Sequence, residues 1–471
     1  MSAHADRIFP ADAPTREIAR VIYESVADAP IVSPHGHVDP RLLLDNEAFP
    51  DPAALLISSD HYVLRLLHAL GHPLDELGVP RTGQGHAPAD GRKVWRVLCN
   101  HWSDLAGTPV RLWLESQLTD LFGVDRTPAP ATADAIYDEL AAALATLDYR
   151  PRALYSRFGI SVLATTDDPA DDLAAHKALR DDPTFSGNVI PTFRADRYMQ
   201  PDGLGWASAL DQLAVTADVD CATHEGLLEA LRSRRAEFAR LGATSTDTGV
   251  ADAGCEPLPF AEAERIHRAA RDGEVTVAEA DAYRRHMLYQ LAAMSAEDGL
   301  VMQLHAGILR NHHTPSFQSF GPDRGHDLPL PTEFTRSLRP ILRDFGLNPT
   351  FRIVLFTTDE TAFSRDIAPL AGFYPSVYAG APWWFLDSPA GIARYRDAIT
   401  DSAGYTKTSG FIDDTRAFCS IQARHDMARR ADATHLATHV ATSQLGIEEA
   451  RAIAARIVGE IPRATFRLNT A

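Results

Sequence analysis

The chain has 471 residues, 45% of them hydrophobic and 23% charged, the balance of an ordinary globular protein with material for a large core. Its formal net charge of −18 argues against nucleic acid and anionic membrane surfaces as partners, and it means that any anionic ligand must be met by local arginines. Cys99, Cys221, Cys255 and Cys419 lie far apart with no Cys-x-x-Cys, which points to reduced thiols and a cytoplasmic setting.

Met1 to Asp6 lack a basic region followed by an apolar run, so no signal peptide is expected. No stretch of about 18 apolar residues occurs, so no membrane-spanning helix is expected either. Thr15 to Ala27 reads as a leading helix, with Ile18, Val21, Ile22 and Val26 on one face. Next comes Pro30 to Asp39, an apolar run that ends in His35-Gly36-His37. In a strand, residues two apart point to one side, so both imidazoles would face one point in space. Neutral imidazole is a common metal ligand, and the pair makes half of a site. From Asp39 to about Arg150 the pattern is helical, with Pro and Gly breaks. Arg65 to Leu70, Val94 to Leu105 and Pro109 to Phe122 are amphipathic pieces. That excursion is too long for a simple crossover, so residues 40–155 are expected to form a helical insertion within one barrel domain spanning 1–471.

Beyond it, strand candidates alternate with helix-sized segments. Gly159 to Thr166 ends in Asp167, Asn188 to Phe193 in Arg194, and the weaker Gly242 to Thr246 in Asp247. Leu300 to Leu304 ends in His305, and Phe351 to Thr358 in Asp359. Ser376 to Gly380 precedes Trp383-Trp384, and Lys407 to Ile412 ends in Asp413-Asp414. Helices are expected over Pro169 to Leu179, Leu227 to Leu241 and Ile447 to Ile457. A further helix opens at a Thr276/Glu279 capping box, and its stripe of Tyr283, Met287, Leu291 and Met294 reads as core packing. Strand-helix alternation implies parallel strands with crossover helices, and about eight of them imply a closed (β/α)8 barrel. Its active site would lie at the carboxyl ends of the strands, where a His-x-His, a further His and an Asp make a metal-ligand set.

Several segments resemble the uronate isomerase (glucuronate isomerase) family of the amidohydrolase superfamily. They are Ser33-Pro34-His35-Gly36-His37, Asp60-His61-Tyr62 with Arg65, and Thr165-Thr166-Asp167-Asp168-Pro169. Pro191 to Asp196, Gln303 to Asn311, Trp383-Trp384-Phe385 and Asp414-Thr415-Arg416 complete the set, in order along most of the chain. At the fourth strand only Asp247 carries over, and His312 and His313 stand where the family often has asparagines. The resemblance implies a barrel of the metal-dependent hydrolase kind and the isomerisation of D-glucuronate to D-fructuronate and of D-galacturonate to D-tagaturonate.

Such a reaction moves a proton between adjacent carbons through an enediol, so it needs a base, a group that stabilises an oxyanion and a hold on the open-chain sugar. His35, His37 and Asp414 are taken as ligands of a divalent metal, with His305 as a further ligand or a proton carrier. Zinc suits these donors, and manganese or iron also fit. Asp414, His61 and Tyr62 stand as alternatives for the base. Arg194 and Arg416 would meet the carboxylate or the enediolate, since guanidinium fits a carboxylate through two parallel hydrogen bonds. Arg310 and Asp247 are counted with the substrate-binding groups. Trp384 would stack on the sugar or close the pocket, and a packed rim aromatic is the equal alternative. The expected partner is a small sugar acid, bound by a homo-oligomer.

A hydrolase of the same superfamily, opening a lactone or amide of a sugar acid, is the second reading. A carboxylated lysine on the fourth strand would favour it, and no lysine occurs at residues 244–247. A sugar-binding protein without catalysis and a decarboxylase on the same metal site are further alternatives.

Overall fold

Ten short strands are set out along the chain in the computed structural model, which describes residues 4–83 and 90–468. Met1 to Ala3, part of the segment read for a leader, lie outside the described residues. The strands are β1 (Ile31–Ser33), β2 (Ile160–Ala164), β3 (Val189–Ile190), β4 (Phe193–Arg194) and β5 (Ser245–Val250). After them come β6 (Val301–Ala306), β7 (Ile308–Leu309), β8 (Leu328–Pro329), β9 (Ile353–Thr357) and β10 (Val377–Ala379). β1, β2 and β3 pair in parallel in that order, and β4, β5, β6, β9 and β10 form a second parallel run. A bridge from Asp167 to Phe193 joins the two runs, and one from Ala379 to Thr408 adds the last position. The His37 N–H donates to the Thr415 carbonyl at 3.0 Å, which brings the last segment back to the first. The expected (β/α)8 barrel is therefore present, with β7 and β8 as an antiparallel hairpin outside its wall.

The strands differ in detail from the sequence reading. Asp247 and His305 lie inside β5 and β6, not beyond them. The run Ser-Thr-Asp-Thr-Gly-Val carries few β-branched aliphatics, yet all of β5 except Gly249 is buried, because β4 and β6 cover both its edges. The eighth position is one bridge at Thr408, since a three-residue 3-10 turn at Tyr405–Lys407 and Gly410 at φ +70° leave it little extended length.

Between β1 and β2 every described element is helical, including His61–Ala69, Gly91–Asn100, Pro109–Ser116 and Ala133–Leu144. Asp60, Asp90 and Thr108 cap the first three by accepting backbone N–H groups, and Pro109 supplies a preset φ at the third start. Trp95 and Trp113 from these helices share one apolar cluster with Val162 and Ile412 of the barrel, so these helices and the barrel bury a common core.

The Thr276/Glu279 capping box opens the helix Val277–Asp298, and Tyr283, Met287, Leu291 and Met294 are all buried in it. The leading helix runs Ala13–Glu24, but Val21 is exposed. The Pro169 helix begins only at Ala174, because Asp168, Asp171 and Asp172 each accept a backbone N–H two residues on and hold the chain in turns. The sequence reading passes over the helix Ser420–Ala441, whose buried face includes Arg424, His425, Arg429, Arg430 and Asp432 and so shows no apolar stripe. No helix among the described residues is long and apolar enough to cross a membrane.

A buried chain of hydrogen bonds ties together three helices on the outside of the barrel. Leu258 N–H donates to His286 Nδ1 at 2.9 Å, so a neutral His286 carries its proton on Nε2 and donates to His224 Nε2 at 3.1 Å. His224 must then donate from Nδ1 to the Tyr283 oxygen at 2.9 Å, and the Tyr283 hydroxyl donates to His267 Nδ1 at 3.0 Å. His267 Nε2–H ends the chain on the Cys221 carbonyl at 3.1 Å. Every link is used once, and only with all three imidazoles neutral. Burial accordingly pushes His224 down to about 3 and His286 down to about 4, and lowers His267. In the unfolded chain these groups titrate near 6.5, so the stability is complete above that pH and is lost as pH falls below it. At pH ~5.5 each of His224 and His286 is expected to have withdrawn about 1.4 kcal/mol. Nitrogen-15 NMR of labelled histidines checks this: the account requires one Nδ1–H and two Nε2–H tautomers, and a protonated signal for any of the three at pH 6 would contradict it.

Candidate active site

Ser33 is the last residue of β1, so His35 and His37 lie beyond the strand expected to carry them, and both line the cavity from there. Asp414 approaches from the eighth position. Its Oδ1 lies 3.2 Å from His35 Nε2 and 3.0 Å from His37 Nε2. His305, carried by β6, stacks on His35 with ring centroids 4.7 Å apart. It donates from Nδ1 to Asp247 Oδ1 of β5 at 2.7 Å, which leaves its Nε2 as a free lone pair. Phe356 stacks on His305 at 4.2 Å and Trp383 meets it at a steep angle at 4.8 Å, so three aromatic neighbours hold the ring in place.

These residues form two overlapping donor groups, His35 with His37 and Asp247, and His35 with His305 and Asp414. Within each group one donor atom from every residue lies within 4.8 Å of the others. His35 Nδ1 and His305 Nε2 are buried there without a hydrogen-bond partner, and Asp414 Oδ1 and Asp247 Oδ2 have only their ion-pair contacts to the imidazoles and to Arg194. An unsatisfied buried polar atom costs about 1–3 kcal/mol, and a cation would meet several at once. The donors are also in the right state. Burial raises both carboxyls, but His35 and His37 outweigh it at Asp414, and Arg194 and His305 outweigh it at Asp247, so both stay well below the usual carboxylate range. Burial pushes His37 down to about 4 and lowers His305, whereas Asp247 and Asp414 outweigh burial at His35 and raise it. Imidazoles gathered around carboxylates are donors that suit a divalent metal ion, which would take the place of a proton on His35.

A second wall of the same cavity of about 550 Å³ is polar and cationic. Arg194 pairs with Asp196 at 2.8 Å and with Asp247 Oδ2 at 3.0 Å. Arg310 pairs with Asp327 at 2.9 Å and lies over the Trp384 ring, 5.4 Å from its centroid. Arg416 meets Asp323 at 2.9 Å. The helical stretch between β1 and β2 contributes His61 and Tyr62, stacked 4.4 Å apart at the first turn of the helix capped by Asp60. Trp384 closes on His61 edge-on at 5.4 Å and is almost fully buried. Burial and Arg416 push His61 down to about 3, whereas burial raises the Tyr62 phenol. Near neutral pH the former is an unprotonated imidazole and the latter a protonated donor.

All eleven residues singled out in the sequence line this one cavity: His35, His37, His61, Tyr62, Arg194, Asp247, His305, Arg310, Trp384, Asp414 and Arg416. Other strand-end residues do not. Asp167 is buried against Thr165 Oγ1 at 2.6 Å, and Asp359 accepts the Thr361 N–H of its own loop and the Thr332 N–H of the segment after β8. Arg65 packs over Phe385, and His312 and His313 are exposed. The sequence reading missed Arg197, Asp323 and Asp327 as lining residues. The two aspartates sit in Gly321-Pro322-Asp323-Arg324-Gly325-His326-Asp327, a stretch without periodicity. Four of the ten described non-glycine residues with positive φ belong to this site: Asn311, Asp323, Trp384 and Asp414. Asn and Asp tolerate that conformation, but at Trp384 it is a backbone outlier of the kind that clusters at functional sites.

Comparison with known proteins agrees with this architecture. The family model described as glucuronate isomerase matches residues 12–464. A uronate isomerase of Cutibacterium acnes is 47% identical over 98% of this chain and 98% of its own length. The crystal structure of a glucuronate isomerase from Caulobacter crescentus superposes with a TM-score of 0.97 at 41% identity, covering 100% of this chain and 98% of that one. That of a uronate isomerase from Thermotoga maritima gives 0.92 at 27% identity, covering 99% and 100%. The chain belongs to the glucuronate isomerase family.

Proposed function

We propose that this protein is a uronate isomerase that interconverts D-glucuronate with D-fructuronate and D-galacturonate with D-tagaturonate, by proton transfer between C1 and C2. The observation that carries this reading is the position of Asp414: an anionic carboxylate between two imidazoles, in a cavity whose other wall is arginine.

His35, His37, Asp414 and His305 would hold one divalent metal ion, zinc by donor type, with manganese or iron also suited. When bound, that ion polarises substrate oxygens and stabilises negative charge on them. The remaining work falls to side chains. Arg416 takes the substrate carboxylate, since its guanidinium is one-third exposed at the cavity and has one carboxylate within bonding distance. Arg194 is already engaged by two carboxylates, so its part is to hold Asp247 and, through it, the His305 ring. Asp414 removes the proton from C2 and returns it to C1 on the same face of the enediol. Tyr62 remains protonated and donates to the developing oxyanion. His61, neutral and beside it, accepts a hydroxyl proton. Trp384 shuts one side of the cavity over the sugar. The same reading places the protein in the cytoplasm as a homo-oligomer, and the four free, buried cysteines agree with a reducing compartment.

Removal of metal tests the donor assignment. Protein dialysed against a chelator is expected to lose uronate turnover and to regain it with zinc, manganese or iron, with about one ion per chain by elemental analysis. Full turnover in metal-free protein would overturn this part of the mechanism. Parallel assays on the two uronates rank them as substrates.

A further inference from the structure

Four arginines and five aspartates line the cavity, so an anionic sugar enters a site that already holds more carboxylates than guanidiniums. Four of those aspartates are fixed. Asp196 accepts the Gly249 N–H at 3.0 Å and pairs with Arg194. Asp247 holds His305, and Asp414 sits between His35 and His37. Asp327 is almost fully buried and accepts the Asn311 N–H at 2.6 Å as well as Arg310 at 2.9 Å.

Asp323 is different. Its side chain is 34% exposed, and among the described residues its carboxylate pairs with Arg416 at 2.9 Å and with Arg310 at the longer distance of 3.7 Å. It sits in the segment between β7 and β8 with φ +61°. Two residues on, Gly325 is pressed against the helix that carries His61. A Cβ at Gly325 would lie 2.7 Å from Arg65 Cβ and 3.0 Å from the His61 carbonyl oxygen. The backbone is thus anchored beside Asp323, which leaves its side chain free to turn between two guanidiniums.

We propose that Asp323 is a specificity-determining residue, an internal carboxylate that competes with the substrate carboxylate for Arg416. A uronate exchanges one carboxylate for another on Arg416, and Asp323 turns toward Arg310, so no arginine is left unpaired. A neutral aldose offers nothing in exchange and leaves the Asp323–Arg416 pair closed across the cavity. The inference rests on Arg416 as the carboxylate site.

The probe is D-gluconate, a six-carbon carboxylate with no aldehyde to isomerise, titrated by calorimetry into the wild-type protein, Asp323→Asn and Arg416→Met. Asp323→Asn is expected to bind it roughly twofold to fivefold more tightly, because an exposed ion pair is worth up to about that much. The KM for D-glucuronate is expected to fall in parallel. Arg416→Met is expected to bind about tenfold or more weakly. If Arg416→Met weakens binding while Asp323→Asn leaves it unchanged or weaker, the competitor role is overturned and Arg416 keeps its own. If Arg416→Met has no effect, the carboxylate assignment itself fails and the inference falls with it.

Discussion

Replacing Asp414 with asparagine is expected to lower kcat by about 10³-fold, the scale of a lost general base, while the protein stays folded. Asparagine keeps the shape that fits between His35 and His37 but brings no negative charge and no basic oxygen. Both imidazoles remain enclosed by the same neighbours, so the thermal midpoint should move by no more than about 4 °C. Bound metal, read by elemental analysis, should fall with kcat, because one anionic donor of the set is gone. A kcat within tenfold of wild type would remove Asp414 from both roles.

Arg194→Met is expected to act on stability and activity together. A family resemblance alone would make Arg194 a substrate clamp whose loss costs turnover and little else. Its contacts argue otherwise. Asp247 is 1% exposed and its Oδ2 faces Arg194, so removing the guanidinium strands a buried carboxylate. Breaking one partner of a buried pair costs about 3–5 kcal/mol. Asp247 would then take up a proton, its bond to His305 would loosen, and kcat should drop with it. Urea unfolding checks the first effect. Adding Asp247→Asn to Arg194→Met should recover most of the stability without recovering turnover. A stability loss below about 1 kcal/mol in the single variant would show that the Arg194–Asp247 pair is solvated and of little weight.

Much of this site was legible in the sequence because its chemistry lies in the barrel strands or just beyond them. His35 and His37 stand just past the apolar run of β1, His305 lies within the clear strand β6, and Asp414 and Arg416 follow the last barrel position. The carboxyl ends of barrel strands converge on one site, which is why these side chains meet although the two histidines and Asp414 lie outside regular strand. Other features left no such trace. The pairing of Arg194 with Asp247 depends on the register of β4 against β5, where Arg194 and Asp247 are direct partners. Asp323 and Asp327 lie in an irregular segment placed by a glycine contact and by bonds to Arg310 and Asn311. The helix Ser420–Ala441 hid its burial behind arginines. Arg424, one of them, is fully buried against Tyr62 and Trp113, with Asp387 as its carboxylate partner. Polar residues that are buried through tertiary pairing look like surface residues until the pairing is known.

The most direct measurement is proton NMR of the purified protein with D-glucuronate, and separately with D-galacturonate, in heavy water. The Asp414 side chain is 12% exposed at a cavity open to solvent, so a proton held there should exchange before it returns to carbon. The account predicts the 2-keto acid with deuterium at C1, formed faster from one uronate than from the other. Ketose with two protons and no deuterium at C1, or no ketose from either sugar, would contradict it.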